Sequence, residues 1–285
     1  MNNKFNFTLG RIFYALFYAY LGPDGKKISK RPSGYIQSHF VNFWASNKPV
    51  NKQSMNEADY PDLIPNYDMR LEKTKSIKEW LKSNRGPPSK IFEKLNQSPT
   101  ARLKYTRSGV AFSEIISNWP RLFDVDGAIQ NDFNHLFPLA ADNLFSKWDN
   151  ISCKMMQYGQ LIKRTVEGIN ISSTEADVDS FIKVQKEHEY QEFMKQKEDD
   201  YPQVYLVGSR EDLHFTDFLV IFNDRIVKCS SLLEAVDIAF KSFYIFNIEF
   251  PKSCFGAWQF LDFFIYKMKP TCPVMSTVKE LAAFM

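Results

Sequence analysis

The side chains able to do chemistry are few and scattered. The histidines are His39, His135, His188 and His214, and no HxxxH, HExxH or Cys/His cluster frames them. A zinc site needs three or four converging ligands. The nearest grouping is Asp132 with His135, joined by His188-Glu189, and these read as surface or core residues rather than as a metal centre. Cys153, Cys229, Cys254 and Cys272 stand far apart with no CxxC spacing. In a chain this long that pattern indicates free, buried thiols in a reducing compartment. Cys153 and Cys254 lie in apolar surroundings, where a thiol stays protonated and inert. There is no GxSxG. Ser209, Glu211, Asp212 and His214 cluster just after an apolar run, but a nucleophilic triad is assembled from separate elements. A charged turn accounts for the cluster, and an enzyme reading would require a deep pocket there. Neither GxxxxGK[ST] nor GxGxxG occurs, so no phosphate cradle is expected. Glu187, Glu189 and Glu192 read as a solvated helix face. The expectation is a non-enzyme with no catalytic residue, no metal and no cofactor.

The sharper pattern is electrostatic. Residues 70–107 hold eleven Lys/Arg against three acids, with Trp80, Phe92 and Tyr105 interleaved. Cations neutralise phosphates and aromatic rings stack on bases. The candidate nucleic-acid contacts are Arg70, Lys73, Lys78, Trp80, Lys82, Arg85, Arg102, Lys104 and Arg107, although no helix-turn-helix or zinc-finger spacing frames them. Residues 1–107 carry 19 Lys/Arg and 8 Asp/Glu; residues 108–285 carry 17 and 25. This asymmetry suggests a polyanion partner bound through residues 26–107. Mutual attraction of the two halves, or a solvated linker, is the plainer explanation.

The elements that must position these groups follow from periodicity. The run from Ile12 to Leu21 is too short for a membrane helix, which needs about 20 apolar residues, and it reads as a core or interfacial helix. Residues 35–45 and 67–83 have helical spacing, the second with Met69, Ile77, Trp80 and Leu81 on one side. Polar, proline-bearing stretches at 46–66 and 84–100 are expected to be poorly ordered. Phe112, Ile115, Ile116 and Trp119 form a short amphipathic helix ending at Pro120. Asp124 or Asp126 is expected to cap a helix through Ile129, Phe133 and Leu136. Leu144 to Asn150 and Cys153 to Val166 continue as helix. Ser172-x-x-Glu175 is a capping box opening a charged helix to about Asp200, with Val178, Phe181, Ile182, Tyr190 and Phe193 as its stripe. The period then changes. Residues 203–208 and 217–223 are short β-rich runs, and Asn223-Asp224-Arg225 turns the chain into 225–229. Ser231-x-x-Glu234 is a second capping box, starting a helix through Leu232, Val236, Phe240 and Tyr244. Pro251 stops the next stretch, and Cys254 to Met268 form a last aromatic helix.

The order of these features resembles a family of animal proteins, abundant in fishes and invertebrates, that are similar to sterile-alpha-motif-domain-containing protein three. The residues carrying the resemblance are Trp119, Pro120, Leu122 and Phe123, then Phe246, Asn247, Phe250, Pro251 and Lys252. It spans roughly residues 105–270. It covers a strand pair followed by two helices and implies a protein multiplied by mobile elements. The sterile alpha motif itself is not evident in residues 1–66, so partner binding through it is not carried over.

The resulting expectation is an α+β fold, mainly α: a helical bundle with a small antiparallel sheet near residues 203–229, on which the last two helices pack. The expected core includes Trp119, Phe123, Phe133, Val207, Leu219, Phe240, Trp258 and Phe264. Residues 1–104 are expected to form a basic, partly disordered region and residues 105–285 a helical module. Twenty-six Phe and thirteen Tyr point to aromatic packing. The leading functional expectation is a non-enzymatic protein-interaction module, mobile-element-derived, that offers an aromatic patch to a protein partner. The alternative is a nucleic-acid-associated protein. An intracellular location, cytoplasmic or nuclear and away from membranes, is expected.

Overall fold

The structure, a computed structural model, describes residues 68–161, 181–186, 201–209, 214–223, 225–269 and 272–285. The helices expected at 12–21 and 35–45, the stretch 46–66 and the Ser172 capping box lie outside those residues.

The first described helix, α1 (Asp68–Ser83), buries Ile77 and Leu81, four residues apart, and turns charged side chains to solvent. The next segment, expected to lack order, holds two helices. These are α2 (Pro88–Asn96) and α3 (Pro99–Thr106), each with a proline in its first turn. A proline there loses no hydrogen bond and has the φ a helix needs, so Pro88 and Pro99 start helices rather than break them. Ile91 and Leu95 of α2 and Leu103 of α3 are buried in one continuous core with the C-terminal half. The boundary expected between residues 104 and 105 therefore falls inside α3, a core-bearing helix.

Helix α4 (Phe112–Asn118) buries Ile115 and Ile116 and ends on Trp119, which is fully buried. Helix α5 (Ala128–Leu136) begins at Gly127, whose φ of 83° is left-handed, and no side chain caps it. Neither Asp124 nor Asp126 takes the expected role, because glycine gives the entry angle by backbone geometry alone. Helix α6 (Asn143–Leu161) follows.

The sheet is mixed, in order β1-β2-β3-β4. Strand β1 (Ile182–Gln185) runs parallel to β2 (Gln203–Ser209), while β3 (His214–Phe222) and β4 (Arg225–Cys229) complete an antiparallel meander. Two expectations are corrected here. The sheet is not purely antiparallel, and residues 182–185 are strand rather than part of a charged helix reaching residue 200. Phe181 and Ile182 have neighbours that a helix would not reach: Phe181 packs on Trp258 at 4.6 Å, and Ile182 pairs with Val204. Both sheet faces are apolar. Val204, Leu206, Val220 and Phe222 join the main core, whereas Tyr205, Val207, Leu219 and Ile221 form a separate buried cluster on the opposite face. A bulge at Val207/Gly208 marks the end of the β2–β3 pair where one strand leads on to the next. Gly208 has a φ of 150°, and a Cβ there would lie 2.1 Å from the His214 carbonyl oxygen, so no other residue fits.

Helix α7 (Leu232–Ile245) lies over β2, β3 and β4 and against α5. Its N-terminus is the expected capping box: the Ser231 hydroxyl accepts from the Glu234 amide at 3.2 Å. The Glu234 carboxylate reaches back to the amide of Ser230 at 2.6 Å, one residue earlier than the standard box. Its C-terminus closes on Asn247 at φ 51°, with the Ile248 amide donating to Phe243 O at 2.9 Å. This is a left-handed helix stop that asparagine tolerates. After a short 3-10 turn (Lys252–Cys254), α8 (Phe255–Phe260) runs into a π-helical turn (Leu261–Ile265), and α9 (Ser276–Phe284) ends the chain.

The expected core residues are buried except Phe123 and Phe264, which are half-buried. Helix α8 does not lie across the sheet as expected. Trp258 touches Phe181 and Phe243, while the helix packs mainly on α9. The architecture is α+β and mainly α, and no helix among the described residues is long and apolar enough to cross a membrane.

Candidate nucleic-acid interface

Helices α1, α2 and α3 form a layer whose inner side is apolar and whose outer side is cationic. Lys73, Lys75, Lys82, Arg85, Lys90 and Lys104 are exposed, and Lys78, Lys94 and Arg107 are half-buried, against the exposed acids Glu72, Glu79 and Glu93. The cations are not loose. Lys78 Nζ lies 4.4 Å from the Tyr105 ring centroid and 5.1 Å from that of Trp119. Burial, then the neighbouring Lys82, pushes the Lys78 ammonium below its ordinary range against the pull of Glu114. Lys94 Nζ sits 5.8 Å over the Trp80 ring. Cations placed on ring faces keep their charge at the surface while the ring joins the core. Trp80 and Tyr105 are both partly exposed and both packed against the core. Glu79 is paired with Lys82 at 3.3 Å, so one of the three acids is already partnered.

Arg102 is the exception among the candidate contacts. It is completely buried and grips Asp132 of α5 through two hydrogen bonds, Nε to Oδ2 at 2.7 Å and Nη2 to Oδ1. Its Nη1 also donates to Leu95 O at 2.8 Å and to the Ser98 hydroxyl at 3.3 Å, closing the end of α2, and its guanidinium faces the Trp119 ring at 5.4 Å. Arginine's planar fork suits this bidentate use. Arg102 therefore cannot meet a ligand; it fastens the cationic layer to α5. Asp132, the nearest thing to a metal ligand in the sequence, is consumed by the same pair, and His135 is exposed one turn away. Among the described residues no group of three His, Cys, Asp or Glu side chains could hold a metal.

Two further ties hold the layer. Arg121 Nε donates to Leu81 O at 3.2 Å and Asn84 O at 3.0 Å, capping the end of α1, and its Nη1 pairs with Asp124 at 2.8 Å. The Thr106 hydroxyl donates to Ile245 O at 2.9 Å, joining the end of α3 to the end of α7. Sequence reasoning missed Arg121. Its position just after the Trp119-Pro120 break was the signal, since a cation beyond a tight turn can fold back on a helix end. Of the remaining candidates, Lys73, Lys78, Trp80, Lys82, Arg85, Lys104 and Arg107 lie on or beside this layer, with Arg70 on the first turn of α1.

The other expected chemistry is not assembled. Ser209 and His214 face one another across the β2–β3 pair, while Glu211 and Asp212 lie outside the described residues. All four cysteines are free; Cys254 is buried and Cys229 half-buried, but Cys153 and Cys272 are exposed. The expectation of a buried Cys153 is corrected: it sits on the outer side of α6, while Ile151 and Met155 turn inward.

A second set of buried polar groups lies between α7 and the π-helical turn that follows α8. Lys241 Nζ is 2.7 Å from Asp237 Oδ2, and the Tyr266 hydroxyl donates to Asp237 Oδ1 at 2.5 Å. The Tyr244 hydroxyl donates to Asp262 Oδ1. Burial pushes the Asp237 carboxyl up against the opposing pull of Lys241 and Tyr266, and pushes Asp262 up to about 7. These groups are wrapped in rings: Phe240 stacks on Tyr266 at 3.9 Å and Phe133 meets Tyr244 at 5.9 Å. The two segments that carry the family resemblance also meet, with Phe123 stacked on Phe246 at 5.6 Å and Phe112 and Phe222 beside them. No protein-family model, curated protein or solved structure matches the chain.

Proposed function

We propose that the chain is a non-enzymatic binding module that docks nucleic acid on the outer side of α1–α3. One observation carries this reading: besides the buried Arg102, nine cations stand against three acids on residues 72–107, on a helical layer tied into the core. A pre-formed cationic layer gains affinity by releasing condensed counterions and loses no chain entropy to ordering on binding. The partly exposed Trp80 and Tyr105 rings, each under a lysine, offer stacking surfaces once the lysines turn to phosphate. The free thiols support an intracellular setting, cytoplasmic or nuclear. Kinship with the family that the sequence resembles, and its mobile-element connection, belong to this proposal; the meeting of Phe123 with Phe246 gives both resembling segments a packing role.

The test is a salt titration of the full chain against single- and double-stranded oligonucleotides. The expected result is binding whose logarithmic salt slope is about −0.7 (single strand) to −0.9 (duplex) per phosphate contact. Reversing Lys82, Lys90 and Lys94 to Glu should flatten that slope and weaken binding without unfolding the chain. Absence of binding at low salt ends the reading.

A protein partner is the second reading, and its place differs from the aromatic patch expected from composition, because most of the rings turn inward. Leu139 is 96% exposed beside Pro138, and Phe145 is 47% exposed a few residues on. A rigid corner with two bare apolar side chains suits a small hydrophobic contact. Pull-down by the wild type that is lost with the Leu139→Ser, Phe145→Ser double variant would favour this reading; equal capture by both chains would dismiss it.

A further inference from the structure

We propose that the two crossed tyrosine–aspartate pairs joining α7 to the π-helical turn after α8 form a latch whose hold depends on the Asp262 proton. Helix α7 contributes Asp237 and, two turns later, Tyr244; the π-helical turn after α8 answers with Asp262 and with Tyr266 just beyond it. The pairs run in opposite senses, so each helix both donates and accepts. They are not equivalent. Asp237 has a cation, Lys241, at 2.7 Å. Asp262 is 6% exposed and, among the described residues, has the Tyr244 hydroxyl as its partner and no cation.

The charged and titratable groups around Asp262 are otherwise engaged. On α7, Asp237 and Lys241 pair with one another. On α5, Asp132 is held by Arg102 and His135 is exposed. On α6, Lys147 Nζ donates to Ile265 O at 2.7 Å. On its own helix, Tyr266 serves Asp237, and Lys267 lies 4.4 Å over the Phe264 ring. From the C-terminal segment, Cys272 accepts from Gln259 Nε2 at 3.5 Å. None of these supplies a counter-charge.

Asp262 also lies within an irregular passage. Residues 261–265 form a π turn, the Tyr266 amide donates to Leu261 O at 2.8 Å, and the Met268 amide donates to the Asp262 carbonyl at 2.9 Å. Lys267 holds a left-handed φ of 59°. A single wide turn interrupts the regular α-helical hydrogen-bond ladder and is common at functional sites. Downstream, Gln259 fastens residues 272–275 by donating to Pro273 O at 3.2 Å and accepting from the Met275 amide at 2.8 Å.

The sign follows from burial. The Asp262 carboxyl is pushed up to about 7 when the latch is closed, and exposure returns it to about 4. The closed form is therefore favoured most below about pH 4. That advantage is lost as pH rises towards 7, where the closed form gives up its own proton. Local opening should grow by up to about tenfold per pH unit across this window and level off above it. The latch is tight in acid and loosened near neutrality.

The experiment is amide hydrogen exchange of the full chain, read by mass spectrometry on peptides spanning 255–269, from pH 5 to pH 8 with intrinsic exchange divided out. The wild type should open about tenfold more readily at pH 6 than at pH 5, with under threefold further change from pH 7 to pH 8. Asp262→Asn, which is neutral at that position throughout, should lose most of this slope, any remainder belonging to the buried Asp237. Tyr244→Phe removes a donor that favours the ionised carboxylate, so its plateau should begin at higher pH. A flat wild-type profile, or an unchanged slope in Asp262→Asn, overturns the proposal. Should Asp262→Asn fail to fold, the carboxyl carbon of Asp262 in the wild type decides by NMR: titration near 7 supports the latch and titration near 4 removes it.

Discussion

The layer α1–α3 and the pair α7–α8 are both helical, and they treat charge in opposite ways. On α1–α3 the charges face solvent, and one arginine, Arg102, turns inward to a single aspartate. On α7 nearly every residue is buried, Asp237 and Lys241 included, and the polar groups are satisfied by one another and by tyrosine hydroxyls. A cation on the outer layer is replaceable; the same residue type inside is not. A buried ion pair need not stabilise relative to an apolar pair of the same shape, but either partner left alone is an uncompensated charge. The two regions thus differ less in composition than in what removing one group leaves behind.

The largest expected effect tests that contrast directly. Arg102→Met should cost about 3–5 kcal/mol in chemical denaturation by stranding Asp132, while adding Asp132→Leu should return most of it. A loss below about 0.5 kcal/mol, typical of surface sites, would place Arg102 with its exposed neighbours. A smaller effect is expected at Gly208, where Ala must hold a forbidden φ against the His214 carbonyl. About 1–3 kcal/mol should be lost, and an unchanged thermal midpoint would show that the bulge can move. Ser231→Ala should cost about 1 kcal/mol by uncapping α7. If Glu234 and Ser230 hold the end alone, the loss will be only a few tenths. The smallest effect belongs to Lys90→Glu in the first turn of α2. Stability should stay within about 0.5 kcal/mol or rise slightly through the helix dipole, even as oligonucleotide binding falls. A larger destabilisation would mean that the outer layer is structural after all.

The legible parts of the fold were those set by local rules. Helix α1 was readable from Ile77 and Leu81, the start of α7 from Ser231 and Glu234, and the β2–β4 meander from short apolar, β-rich runs around the turn at Asn223. The misreadings share a cause. Prolines at 88 and 99 are breakers inside a helix and starters at its first turn, and only the neighbours that bury Ile91, Leu95 and Leu103 decide between the two. The stripe Val178, Phe181, Ile182 fits helical spacing, but a parallel partner at Val204 makes residues 182–185 a strand. Asp124 and Asp126 are good caps by type, yet the chain enters α5 through Gly127.

The candidate interface was legible as a charge excess and not as a surface. Composition and spacing by themselves determined that residues 70–107 are cationic, that helices dominate, that a short sheet lies in the later half, and that aromatic rings supply the packing. Those follow from side-chain chemistry and from periods of two and 3.6 residues. Only the tertiary structure decided which cation goes inside and which rings reach solvent. Arg102 and Lys104 are two residues apart on one helix, and their own sequence neighbourhood gives no reason to separate them. What separates them is Asp132, thirty residues away, which offers a buried carboxylate on the side of α3 that Arg102 faces.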